Sequence, residues 1–273
     1  MMGPIYGGLG YVAVLGALFF AAISGSGTAT VAAMGSILIP AMIKQGYDPG
    51  FSSALSAISG SLGTVIPPSI TFIIYGMITG ESISDLFLAG IVPGIIFASV
   101  LCITVYVNSK KNGWKGDKPK ADFKVIRKEF IGALPGFLSP VIVLGGIYAG
   151  IFTPTEAAAV AVIYSFIVSV FIYKEMNFEK LRETLFSTAK TTGIILLIIM
   201  NAGIFSWVLT QQGIAASLTE FAIGLSMNKY VMLILINIVF LLAGCVMDNT
   251  SALYILVPII LPIAKALDIN LIH

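Results

Sequence analysis

The chain has 273 residues, 58% of them hydrophobic and 10% charged, with a mean hydropathy of +1.00. A soluble globular domain carries about 25% charged residues, so the composition excludes an ordinary soluble protein. The net charge of +2 is not arranged as a basic groove or stripe, which excludes a nucleic-acid surface. Uncharged runs at 1–43, 49–80, 86–109, 130–155, 157–173, 191–219, 230–247 and 249–264 make the chain almost wholly membrane-embedded. The runs are continuously apolar where barrel strands would alternate, so the expected fold class is an all-α polytopic membrane protein.

Residues 10–43 read as two apolar arms, each short for a full span, meeting at Ser24-Gly25-Ser26-Gly27-Thr28. The second arm ends at Lys44, Tyr47 and Asp48, and the pair is expected to form a re-entrant hairpin from the cytoplasmic side. Segment 52–80 contains Ser-Gly-Ser-Leu-Gly-Thr-Val-Ile-Pro-Pro-Ser at 59–69, where glycines and the tandem Pro67-Pro68 break the ladder of helical hydrogen bonds. A discontinuous helix is predicted there. The acidic turn Glu81–Asp85 then faces outside, and 86–107 is one clean span.

Eight Lys and Arg crowd 110–128, and Lys174, Lys180, Arg182 and Lys190 crowd a second polar stretch. By the positive-inside rule both loops are cytoplasmic, and the two apolar segments between them, 130–152 and 157–173, return the chain to the same side. Segment 191–210 crosses outwards, and 212–226 is mixed enough in polarity to lie on the surface or insert partly. Two further short arms, 230–247 and 249–264, meet at Met247-Asp248-Asn249-Thr250-Ser251 and predict a second re-entrant hairpin from the opposite face. This topology puts 13 Lys and Arg inside and two, Lys229 and Lys265, outside.

The expected organisation is thus a first hairpin and broken helix over 1–80, a transmembrane helix over 81–107 and a basic cytoplasmic loop over 108–130. Helices and a cytoplasmic connection follow over 131–190, then a transmembrane helix and the second hairpin over 191–273. At an offset of 222 residues, Ser26-Gly27-Thr28 falls on Asp248-Asn249-Thr250, Ile37 on Ile259 and Pro40 on Pro262. With opposite orientations in the membrane, that match predicts an inverted repeat, and inverted repeats with broken helices mark secondary transporters.

Broken helices at membrane depth leave backbone groups without helical partners and are tolerated where they line a cavity. Carbonyls and hydroxyls are hard oxygen donors suited to Na⁺, and helix N-termini attract carboxylates. One candidate site therefore pairs Ser26, Gly27 and Thr28 with Ser59, Gly60, Gly63, Thr64 and the Pro67-Pro68 break; the competing reading is that these small residues only let helices pack closely. A second candidate is Asp248 with Asn249 and Thr250, Asp248 being the only ionisable side chain placed near the bilayer centre. It serves equally as the cap of the arm that follows. Thr153-Pro154-Thr155-Glu156 fits a capping box, which removes Glu156 from the candidates.

Trp207 is expected to pack or to anchor at the interface, and Cys102 and Cys245 lie in apolar runs as small hydrophobes. The single histidine is the terminal His273, so no Ser/His or Cys/His pair forms within the chain, and an aspartyl protease would need a second carboxylate opposite Asp248. No enzyme activity, metal cluster or organic cofactor is expected, only Na⁺ as a coupling ion.

The motifs Gly-Ser-Gly-Thr-Ala-Thr-Val-Ala-Ala (25–33), the 59–69 run, Ile-Tyr-Gly (74–76), Gly-Ile-Phe-Thr-Pro-Thr-Glu-Ala-Ala (150–158), Asp-Asn-Thr-Ser (248–251) and Leu-Val-Pro-Ile-Ile-Leu-Pro (256–262) carry a further signal. Together they resemble the large membrane subunit of tripartite ATP-independent periplasmic (TRAP) transporters, over essentially the whole chain. The resemblance implies an elevator-type fold in which the hairpins move against scaffold helices. It also implies sodium-driven import of small organic acids, C4-dicarboxylates or sialic acid, across the bacterial inner membrane. Implied partners are a soluble periplasmic substrate-binding protein and a small four-helix membrane subunit. By position, one sodium site would use Ser26 to Thr28 with Ser59 to Thr64, and the second Asp248 to Thr250 with a second broken helix. The resemblance further implies about three spans before residue 1 and that second broken helix after His273, so repeat 2 is incomplete in this sequence. Two alternatives remain at this point: a divalent-anion/sodium symporter acting without a binding protein, and a non-transporting truncated subunit.

Overall fold

A computed structural model describes residues 5–115, 123–214, 217, 220 and 228–273, and every regular element among them is helical. The chain separates into two compact units: Met1–Phe72 with Ile83–Lys174, and Ile73–Ser82 with Glu175–His273.

In the first unit, α1 (Gly8–Ser24) and α2 (Gly27–Lys44) are joined by only Gly25 and Ser26. Gly16, nine residues before Gly25, and Met34, eight after Ser26, face each other so closely that a Cβ on Gly16 would press into the Met34 methyl, which makes the pair an antiparallel hairpin. At 17 residues α1 is short of a full span, as the sequence leads one to expect, whereas α2 is long enough to count as one. The 18 residues of α2 reach about 27 Å, close to the thickness of a hydrocarbon core, so arm length alone does not separate a re-entrant arm from a crossing one.

The helix that follows is broken as predicted. Asp48 caps α3 (Pro49–Gly60) through its carboxylate on the Phe51 N–H at 2.8 Å, with Pro49 at the first helical position. A short α4 (Leu62–Val65) ends at Ile66, which turns extended, and α5 (Ile70–Thr79) restarts after Pro67, Pro68 and Ser69 at a bend of 42°. Neither proline has an N–H to donate, so the helical ladder cannot run through them.

The core of this unit is a small-residue face of α1 (Ala13, Val14, Ala17, Ala21) set on Leu38, Met42, Leu55 and Leu62 and on one stripe of α6 (Ile83–Asn112), Ala98, Leu101 and Val105. The spacing of three and four along α1 and α6 puts each set on one helical face. At thirty residues, about 45 Å, α6 outruns the bilayer core. It therefore carries helix past the expected 86–107 span through Lys110 and Lys111, cations that suit the negative end of the helix dipole. The basic loop predicted over 108–130 is thus helical at its start and again from Phe123.

Helices α7 (Phe123–Tyr148) and α8 (Pro154–Ile167) form a second antiparallel pair, tied by hydrogen bonds from Tyr164 Oη to Pro135 O at 2.7 Å and from Tyr173 Oη to Gly132 O at 3.0 Å. A π-helical turn, Val168–Ile172, closes α8. The capping box at its start is present: Thr153 Oγ1 accepts from Glu156 N at 3.3 Å and Glu156 Oε2 accepts from Thr153 N at 2.8 Å.

The second unit holds α9 (Phe178–Gln211), α10 (Lys229–Gly244) and α11 (Asn249–Ala266), together with α5 from Ile73 onward. Helix α9 starts well before the expected crossing at 191, because Asn177 Oδ1 caps it through Lys180 N at 2.8 Å and its first turns are exposed and polar. The surface segment predicted at 212–226 lies mostly outside the described residues. Among the described residues six helices are long and apolar enough to cross a membrane, or seven if the broken pair counts as one.

Candidate functional site

Gly25, at φ 62°, ends α1 in the left-handed conformation that glycine adopts without strain, and its N–H bonds Ala21 O at 2.8 Å. Ser26 then turns extended, at φ −129° and ψ 125°, and caps α2 with its hydroxyl toward Ala29 N at 3.4 Å. The chain reverses within two residues, which leaves the Ser26 and Thr28 hydroxyls, 3.2 Å apart, at the tip.

The broken helix seats against this tip backbone to backbone. Ile70 N, the first N–H of α5, donates to Gly25 O at 3.1 Å. A Cβ on Gly63 would lie 2.6 Å from Ser26 O and 2.9 Å from Gly27 N, so only glycine lets the two main chains approach this closely. Gly27 in turn stands against Gly60 O and the Thr64 methyl, each 3.2 Å from where its Cβ would be. The structure therefore brings Ser26, Gly27, Gly60, Gly63 and Thr64 next to one another. Thr28 is exposed at its edge, and Ser59 is fully buried beside Gly60.

The hydroxyls here are not equivalent. Thr64 Oγ1 gives its proton to Ser61 O at 2.8 Å, which leaves its lone pairs as acceptors only. Ser59 Oγ, in a residue 1% exposed, has no hydrogen-bond partner among the described residues. An unpaired buried hydroxyl costs roughly 1–3 kcal/mol, so its retention beside a helix break fits an oxygen that a ligand would satisfy.

Two buried residues that sequence reasoning passed over hold this cluster. Thr30 Oγ1 donates to Ser26 O at 2.8 Å, and Ser69 Oγ donates to Thr64 O at 2.7 Å across the break. The available signal was a Thr four residues after a cap and a Ser directly after Pro-Pro, placements that suit back-bonding to an orphaned carbonyl.

In the second unit Asp248 is the N-cap of α11: its Oδ2 accepts from Thr250 N at 3.0 Å and Ser251 N at 3.2 Å, and its Oδ1 accepts from Ser251 Oγ at 2.5 Å. Asn249 and Thr250 form the first turn above it. The capping role that the sequence allowed for Asp248 is therefore realised, and the carboxylate is exposed. The 222-residue offset holds at the level of structure too. Helices α2 and α11 are each 18 residues, start and end in register under that offset, and are capped by extended residues at Ser26 and Asp248.

Over residues 1–273 the chain matches the family described as tripartite ATP-independent periplasmic transporter, DctM component. It belongs to that family. It is 41% identical to the C4-dicarboxylate TRAP transporter large permease protein DctM of Pseudomonas aeruginosa and 34% to the sialic acid TRAP transporter large permease protein SiaM of Vibrio cholerae. It is 39% identical to the isethionate TRAP transporter permease protein DctMQ of Oleidesulfovibrio alaskensis. All of the chain aligns in each case, against 64%, 64% and 43% of those proteins, so this DctM-family chain spans about two-fifths to two-thirds of their length. The DctM family is one of transporters rather than enzymes, and membership places the chain in the bacterial inner membrane, in keeping with the six helices long and apolar enough to cross a membrane among the described residues.

Proposed function

We propose that the protein carrying this DctM-family chain imports small organic acids across the inner membrane by sodium-coupled secondary transport. The observation that carries this reading is the seat of the first hairpin tip on the broken helix, where Ser26, Thr64 and Ser59 offer hydroxyl oxygens beside interrupted backbone. Hydroxyl and carbonyl oxygens suit hard cations such as Na⁺. In this reading Ser26, Gly27 and Thr28 bind the ion with Ser59, Gly60, Gly63 and Thr64, and the Pro67-Pro68 break keeps the backbone there from closing into helix. Asp248, Asn249 and Thr250 contribute to a second site. A carboxylate already holding one hydroxyl and two N–H groups is fixed in direction, so it can take a cation without reorganising.

Both hairpins are read as re-entrant, related by an inverted repeat, and moving together against scaffold helices that include α7 and α8. The relatives' names cover a dicarboxylate, a sialic acid and isethionate, all anionic acids, which supports an acid as the substrate here. The tripartite family description supports two partners, a periplasmic binding protein that delivers the substrate and a small DctQ-like membrane subunit. The name DctMQ on a relative of which the chain covers only 43% is consistent with such a subunit.

The test is uptake into proteoliposomes by the protein carrying this chain, with binding protein and small subunit present and a sodium gradient imposed. Asp248→Ala is expected to cut sodium-driven uptake at least tenfold and to weaken its sodium dependence. Uptake that is equally fast without sodium, or an Asp248→Ala variant with an unchanged sodium response, would sink the coupling scheme. Equal uptake with the binding protein omitted would instead support a symporter that acts alone.

A further inference from the structure

The Ser26 peptide is held from both sides by two hydroxyls that face away from the tip. Its N–H donates to Ser24 Oγ at 3.3 Å. Its carbonyl accepts from Thr30 Oγ1 at 2.8 Å as well as from Thr30 N at 3.1 Å. Ser24 Oγ and Thr30 Oγ1 stand 3.2 Å apart. A threonine hydroxyl has one proton, and the short bond to Ser26 O uses it. Thr30 is then an acceptor toward Ser24, whose own proton goes to Thr30 Oγ1 or to Ser26 O, the latter at 3.3 Å. Either way the bonds form a closed ring that begins and ends on Ser26. Thr30 is fully buried and Ser24 and Ser26 are half-buried, so these bonds are shielded in part from water.

The ring has a chemical consequence at the tip. The Ser26 carbonyl is saturated and turned inward, while the Ser26 and Thr28 side-chain oxygens, 3.2 Å apart, are left facing out. The opposite wall is built alike: buried Ser69 donates to the Thr64 carbonyl, and the Thr64 hydroxyl, its proton given to Ser61 O, keeps its lone pairs free. We propose that Thr30 is a positioning residue of the first hairpin site, its hydroxyl setting the direction of the Ser26 oxygens and thereby the affinity of the tip for the cation that drives transport. The proposal rests on the sodium-coupled reading of that site. Thr30 itself touches no ion.

The test compares Thr30→Val, which keeps the shape and removes the hydroxyl, with Thr30→Ser, which keeps the hydroxyl and removes a methyl. Two quantities are read on the complete transporter. They are the half-saturating sodium concentration for uptake and the rise in unfolding temperature that sodium produces in detergent without substrate. Thr30→Val is expected to raise the half-saturating concentration about tenfold and to reduce the sodium-induced rise, with maximal uptake within about twofold of the parent. Thr30→Ser is expected to stay within twofold of the parent in both. A Thr30→Val protein that responds to sodium like the parent overturns the proposal, and so do two variants that shift equally, since packing would then be the cause. A parent protein whose uptake and unfolding both ignore sodium overturns the sodium-coupled reading itself, and this inference with it.

Discussion

Gly63 illustrates how little room the candidate site leaves at the level of single residues. A methyl there would press on Ser26 O at 2.6 Å and Gly27 N at 2.9 Å, both main-chain atoms that cannot swing aside. Gly63→Ala is therefore expected to part the hairpin tip from the broken helix and reduce uptake at least tenfold. Gly132→Ala, where nothing stands within 4 Å of the added carbon, is expected to leave uptake unchanged and to favour its helix slightly. Equal uptake by the two variants would show that the close approach is not needed for transport. The glycines, the serines and the Pro-Pro pair were legible in the sequence as a break in an apolar run, because such residues interrupt helices wherever they sit. Thr30 and Ser69 were not, because a Thr or Ser in an apolar run reads as a small side chain until its acceptor is known.

At the scale of elements, the base of the first hairpin depends on one aromatic side chain. Trp114, just past α6, stacks on Tyr47 and lies against Phe51, each with ring centroids 4.9 Å away, and its carbonyl accepts from Gly7 N at 2.9 Å. It thus joins the start of α1, the turn after α2, the start of α3 and the end of α6. Removing a partly buried aromatic from such a cluster costs about 2 kcal/mol, so Trp114→Ala is expected to lower the unfolding temperature in detergent by several degrees. Trp114→Phe is expected to recover most of that loss, and a Trp114→Ala protein as stable as its parent would show that the cluster holds nothing. The sequence placed the two helix pairs and the broken helix in the right order but cut α6 and α9 back to their apolar parts. Hydropathy marks where lipid is tolerated, whereas helices continue through polar residues as long as caps and dipole allow.

For the molecule as a whole, orientation is set by charge. The two basic stretches hold 12 of the 15 Lys and Arg. A reporter active only in the cytoplasm is expected to be active when fused at residue 115 or residue 174 and silent when fused at residue 81, the expected outer turn. The opposite pattern would invert the topology and with it the faces assigned to the hairpins. Replacing the basic residues of both stretches by Gln is expected to yield mixed orientations, since the bias that fixes them would be gone.

By itself the sequence determined that the chain lives in lipid, how its helices are ordered, where one of them breaks and which family it resembles. These follow from local chemistry: apolar run length, residues without an N–H, and caps such as Asp48, Thr153 and Asp248, each of which acts within four residues of itself. Only the tertiary structure decided which backbone meets which. That Gly63 abuts Ser26 and that Ile70 N reaches Gly25 O depend on segments some 40 residues apart folding against each other. No periodicity encodes that approach. It becomes possible where glycine removes the side chains that would otherwise hold two main chains apart.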